Sequence, residues 1–141
     1  MNEALIRGSF KLVCPLLVIL SVLLLLRGHD LSGGGFIGGL LLSLAMILHF
    51  ISHHDSRLRK WIYDNYTYII GLSILALVYI FSFPVFLGKA PLSSMWSSIP
   101  FPIAGKISSV LVFDTLVYII VSLSTTMAYV KFISFSKENG N

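Results

Sequence analysis

Four apolar stretches divide the chain, at about Phe10 to Leu26, Gly34 to Ile51, Tyr66 to Leu87 and Ile107 to Ile133. A bilayer core about 30 Å thick takes roughly 20 residues of helix, so each stretch is predicted to span it. The first is not read as a signal peptide. Its apolar core is too long for one, and no small-residue cleavage site comes before Arg27-Gly28-His29. The segment after the third stretch, APLSSMWSSIPFPIAG, is too apolar for a free linker and too broken by proline to span. A flap lying on the outer surface at the interface is expected there. The pattern predicts an all-α membrane protein: four transmembrane helices in a single integral domain over residues 1–141.

Composition agrees. The chain is 56% hydrophobic and 11% charged, whereas a soluble domain carries about 25% charge. The net charge of +4 is scattered between apolar runs and forms no stripe, which argues against nucleic acid. Lys and Arg instead set the orientation. Seven of them (Arg7, Lys11, Arg57, Arg59, Lys60, Lys131, Lys137) lie with the termini and the 52–65 loop. Three (Arg27, Lys89, Lys106) lie on the other side. The positive-inside rule then places both termini in the cytoplasm. Trp61, Tyr63, Tyr66 and Tyr68 form an aromatic belt at the start of the third helix. Cys14 is the only cysteine, so no internal disulfide or cysteine metal cluster is possible.

The stretch RGHDLSGGGFIGGL joins the first two helices. Gly28 and Gly33 belong to a tight outer turn. Gly34 and Gly38 are four apart, as are Gly35, Gly39 and Ser43. That is the small-xxx-small spacing by which membrane helices approach closely. A phosphate loop is not expected, because no Lys-Ser/Thr follows the glycines and no strand precedes them. His29 and Asp30 have two readings. They cap the second helix in interfacial water, or they border a hydrated pocket and pass protons or cations; histidine titrates in the right range for the second role.

The fourth stretch holds the one acid inside a span. Asp114 lies about seven residues in, roughly 10 Å along the axis. Intramembrane acids face protein or water and mark functional sites by default. Asp114, Tyr118, Ser122 and Thr125 recur at four, four and three residues and share one face. Asp114 either titrates on an ion or proton route or makes a structural hydrogen bond to another helix. His49, near the end of the second helix, is the other titratable group at membrane depth and is read as an interfacial packing residue. Nothing resembles a paired-histidine or cysteine framework for haem, quinone or metal. The chain is therefore expected to be neither an enzyme nor a holder of any cofactor or metal.

These residues carry a family resemblance. Gly28-His29-Asp30, followed by Gly33-Gly34-Gly35-Phe36-Ile37-Gly38-Gly39-Leu40, resembles the GHNxPGGGFxGGL signature. That signature belongs to B-type subunits of Mrp/Mnh multisubunit sodium/proton antiporters. Phe86-Leu87-Gly88-Lys89, the Trp96 to Pro102 region, Gly105, Val112-Phe113-Asp114 and Val117-Tyr118 follow in the family's order. Asp30 stands where the family usually has Asn, and Ser32 where it usually has Pro, which makes the turn more acidic and less rigid.

The resemblance implies a small four-helix subunit of a hetero-oligomeric complex in the cell membrane. Its partners would be other membrane subunits, including large complex-I-like pump subunits, with Na+ and H+ as the transported ions. It would support assembly and line part of the ion or proton route, with Asp114, His29, Asp30, His49 and Tyr118 as candidate residues. The same module also implies an alternative, a subunit of an energy-converting hydrogenase or related ferredoxin-dependent respiratory complex. A third reading is a stand-alone small channel or an assembly factor.

Overall fold

The computed structural model describes residues 2–27, 34–52, 56–86, 88, 90, 96–101 and 105–139. Its four helices are α1 (Asn2–Arg27), α2 (Gly34–Ser52), α3 (Ser56–Phe86) and α4 (Ser109–Glu138). Each predicted apolar stretch overlaps one of them. Among the described residues three helices are long and apolar enough to cross a bilayer, over Gly34–Ser52, Arg57–Phe86 and Ser109–Ser136. The apolar part of α1 is shorter, Leu12–Arg27.

Helix α3 starts at Ser56, well before the predicted boundary at Tyr66. The residues SRLRKWIYDN are too polar to register as a span, yet they contain good helix formers. They also bury Ile62, which is 2% exposed, against the other helices. Packing therefore extends the helix beyond its hydropathy signal.

The helices do not pack in chain order. α1 lies on α2, α2 on α4, and α4 on α3, so α4 stands between α2 and α3. Individual contacts set the directions. Cys14 Sγ reaches the Ala45 carbonyl at 3.7 Å, and the Ser21 carbonyl lies against Gly38, so α1 and α2 are antiparallel. Lys131 Nζ donates to the Tyr66 hydroxyl at 2.7 Å, and the Phe81 and Phe113 rings meet edge-on at 5.7 Å, so α3 and α4 are antiparallel. Gly35 meets Asp114 near the start of both helices, and Met46 Sδ lies 3.8 Å from Thr126 Oγ1 further along. α2 and α4 therefore run parallel.

The two ends of the bundle pack differently. Toward the end bearing the chain termini, Phe50, Ile62, Leu123, Met127 and Val130 form a cluster of large side chains. Toward the other end, α2 buries Gly34, Gly35, Gly38, Gly39 and Ser43. Outward positions such as Leu12, Leu16, Leu72 and Leu75 are exposed and apolar, as a lipid-facing surface requires.

The segment expected to be an irregular flap carries a small antiparallel hairpin, β1 (Trp96–Phe101) and β2 (Gly105–Ser108). Trp96 pairs with Ser108, Pro100 with Lys106 and Phe101 with Gly105, with an irregularity between Trp96 and Pro100. Proline in a strand is tolerated at an edge, and both strands of a two-stranded sheet are edges. Before the hairpin, α3 closes on Gly88, whose φ is 68° and whose N–H bonds the Val85 carbonyl at 3.0 Å. Glycine adopts that left-handed cap without steric penalty.

Candidate functional site

The glycine face of α2 lies directly on the main chain of α4. A Cβ added at Gly35 would collide with the Asp114 carbonyl oxygen and stand 2.9 Å from its Cα. One added at Gly39 would be 2.9 Å from the Tyr118 carbonyl oxygen and 3.0 Å from Val121 Cβ. Contacts this short leave no room for any side chain. In lipid, two apolar helices gain little by association alone, so close backbone approach is a principal source of their affinity.

Gly38 sits where three helices meet. Its absent Cβ would lie 2.8 Å from the Ser21 carbonyl of α1 and 3.2 Å from the Tyr118 ring of α4. That opening lets Tyr118 reach past α2. Its hydroxyl lies 3.0 Å from Ser21 Oγ, in a fully buried contact. Ser21 Oγ donates its single proton to the Val18 carbonyl at 2.8 Å, which leaves the Tyr118 O–H as donor to Ser21. Ser21→Ala strands that donor and is expected to cost about 1–3 kcal/mol. In the double variant with Tyr118→Phe the two effects should fall short of additive by about 0.5–2 kcal/mol. Thermal unfolding of the four variants in detergent checks this, and strict additivity would mean that the pair carries no energy.

Asp114 is 7% exposed and lies about 8 Å along the axis from the start of α4. One turn apart behind it come Tyr118, Ser122 and Thr126, all buried. The face expected to end at Thr125 ends at Thr126, which is 0% exposed, while Thr125 is only half-buried. Parallel packing on α2 keeps strict four-residue steps, and these lead to 126. Ser122 Oγ donates to the Ile119 carbonyl at 3.1 Å, and Thr126 Oγ1 donates to the Ser122 carbonyl at 2.7 Å. Asp114 has no such outlet: its Oδ2 is buried and has no hydrogen-bond partner among the described residues. An unpaired buried polar atom opposes folding.

The predicted site residues separate into three groups. Asp114, Tyr118, Gly34, Gly35, Gly38, Gly39 and Ser43 come together along the α2–α4 contact. His49 does not join them. It is half-buried beside Phe50, ring centroids 6.3 Å apart. It lies fourteen residues beyond Gly35, about 21 Å along α2. Gly28, His29, Asp30 and Gly33 lie outside the described residues. Sequence reasoning missed Ser21, whose only signal was a lone polar residue within the apolar run of the first helix, and it missed Thr126.

Residues 5–127 match a family model described as a domain related to the MnhB subunit of Na+/H+ antiporter. The chain belongs to the MnhB family. The matched span contains the whole contact between Ser21, the α2 glycines and the Asp114 face. Among MnhB relatives, the Na(+)/H(+) antiporter B subunit of Bacillus subtilis (strain 168) is 29% identical over 122 residues, 85% of each chain. The Na(+)/H(+) antiporter B subunit of Alkalihalophilus pseudofirmus is 27% identical over 122 residues, again 85% of each. A Staphylococcus haemolyticus (strain JCSC1435) protein carrying the name mnhB2 is 33% identical over 108 residues, 75% of each. Together with its long apolar helices, this makes the MnhB-family chain a multi-pass cell membrane protein.

Proposed function

We propose that the chain is the B-type subunit of a multisubunit Na+/H+ antiporter and works within the complex as a packing subunit with its intramembrane acid, Asp114, on the ion or proton route. The carrying observation for membership of the complex is the family match over residues 5–127, joined by relatives named as antiporter B subunits that align over most of their length. Partners are the other membrane subunits, among them large complex-I-like pump subunits, and the chain itself has no enzymatic role. The Lys and Arg distribution supports cytoplasmic termini. In that orientation Asp114 lies near the outer face.

Asp114 is the residue assigned to the route. Its support is physical: a carboxyl at membrane depth with an unpartnered oxygen is costly to keep. Its backbone meanwhile is held rigidly by Gly35. A fixed acid with free hydrogen-bonding capacity is suited to taking up and releasing a proton or contacting a cation. Tyr118 and Ser21 hold the neighbouring turn in place. His29 and Asp30 are assigned to the mouth of the same route, since the chain runs from them into Gly34 within four residues of Asp30.

The test uses cells lacking their own sodium/proton antiporters and carrying this chain, tagged, with its neighbouring genes. Affinity purification from membranes should recover large many-spanning subunits with it, and everted vesicles should show sodium-dependent proton exchange. Deleting this chain alone should abolish that exchange. Full exchange without the chain, or a tagged chain recovered alone, would overturn the proposal.

A further inference from the structure

We infer that the groove between α3 and α4, at the end of the bundle bearing the chain termini, binds the phosphate of an anionic phospholipid, with Lys131 and Arg59 as its cationic ligands and Tyr66 and Tyr63 as its frame.

Lys131 is held in an unusual way. Its ammonium donates to the Tyr66 hydroxyl at 2.7 Å and also lies 5.1 Å from the centre of the same ring. Both contacts fix its position without neutralising it. Among the described residues no carboxylate pairs with Lys131, Arg59 or Lys60, and all three are exposed. Tyr63 lies beside Tyr66, with ring centres 6.3 Å apart and the planes tilted at 43°. Arg59 lies one helical turn before Tyr63 on the same face of α3. A preset ammonium and two phenol rims meet at one place, with a guanidinium about two turns before Tyr66 on the same helix. That donor set suits a phosphate.

Depth and surroundings favour a lipid as its source. Lys131 lies seventeen residues beyond Asp114, about 26 Å along α4. It is therefore near the opposite interface of a core about 30 Å thick, where headgroups lie. Toward the bilayer centre from Tyr66, α3 exposes apolar Ile74 and Val78. Acyl chains would run along these while the headgroup meets the cations. Basic pockets between helices on the cytoplasmic side are a recurrent recognition mode for anionic lipids.

The chain, in the assembly with which it is extracted, is stripped of lipid in detergent and titrated with phosphatidylglycerol or with phosphatidylcholine. Native mass spectrometry counts the lipids retained. The wild type should retain one more phosphatidylglycerol per chain than Lys131→Gln does, at equal assembly. Arg59→Gln should weaken retention by several-fold. Tyr66→Phe should do the same by releasing Lys131. Phosphatidylcholine should show no difference among the variants. Equal phosphatidylglycerol retention in wild type and Lys131→Gln would overturn the proposal. So would displacement of the retained lipid by inorganic phosphate at comparable concentration, which would assign the groove to a free anion. Carbodiimide coupling of Lys131 to an acid of a neighbouring subunit would also overturn it, by assigning the groove to protein.

Discussion

Gly35→Leu is expected to remove the chain from its assembly, and Gly35→Ala to weaken it clearly. The position has no room for even one carbon, since a Cβ there collides with the Asp114 carbonyl. The obstacle is backbone, so no rotamer change relieves it, and α2 and α4 must separate along their length. Overpacking of ordinary side chains costs about 1–3 kcal/mol, and a rigid main-chain obstacle belongs at or above the top of that range. Gly39→Leu should act in the same way, because its Cβ would press on the Tyr118 carbonyl and on Val121. Gly71 provides the control. It also lies in a helix, but an added Cβ finds nothing within 4 Å. Gly71→Ala should be neutral or stabilise by about 0.5–1 kcal/mol, the ordinary gain of alanine over glycine in a helix. The yield of tagged assembly and its thermal unfolding in detergent measure all four. Normal yield of Gly35→Leu would show that the α2–α4 contact does not hold the assembly together.

The glycine contact was half legible in the chain. Four-residue spacing of Gly35, Gly39 and Ser43 states that α2 has a face made for close approach. It does not state which helix approaches. Chain order makes α1 and α3 the natural neighbours of α2, yet the partner is α4, parallel to α2 and two elements away. The only sign of this was a matching small or polar face on α4, through Asp114, Tyr118 and Ser122. Spacing also could not separate Thr125 from Thr126, since three- and four-residue steps both stay on one face. The parallel crossing decides for Thr126. Ser21 was illegible for a different reason. A serine in an apolar helix can satisfy itself on its own backbone, as Ser43 does with the Leu40 carbonyl at 2.7 Å. Nothing in α1 itself indicates that a tyrosine nearly a hundred residues later reaches Ser21 through the opening at Gly38. The hairpin was hidden by its prolines, which argue against strands in general but not at sheet edges. Hydropathy, by contrast, located every helix, because each carries an apolar stretch, but it did not fix their ends, as the early start of α3 at Ser56 shows.

Asp114→Asn is expected to assemble normally and to lower sodium/proton exchange by about tenfold or more, the scale on which loss of a positioned titrating group is felt. Asparagine has nearly the same shape as aspartate, so the close fit of the Asp114 backbone against Gly35 survives. Stability should not suffer either. The Asp114 carboxyl leaves Oδ2 without a partner among the described residues, so removing its charge relieves a burial cost and breaks no bond seen there. A purely structural acid predicts the reverse pattern, with Asn substituting well in assembly and exchange and assembly lost instead in Asp114→Leu. Asp114→Glu separates shape from chemistry. It keeps the acid but lengthens a buried side chain, so assembly should fall while exchange per assembled complex stays above that of the Asn variant. Asp114→Leu removes both the acid and all polarity, and its exchange should be no higher than that of Asn. Everted vesicles matched for complex content, assayed across pH, give the four values. Wild-type exchange in the Asn variant would remove Asp114 from the ion and proton route and leave the α2–α4 contact with a packing role alone.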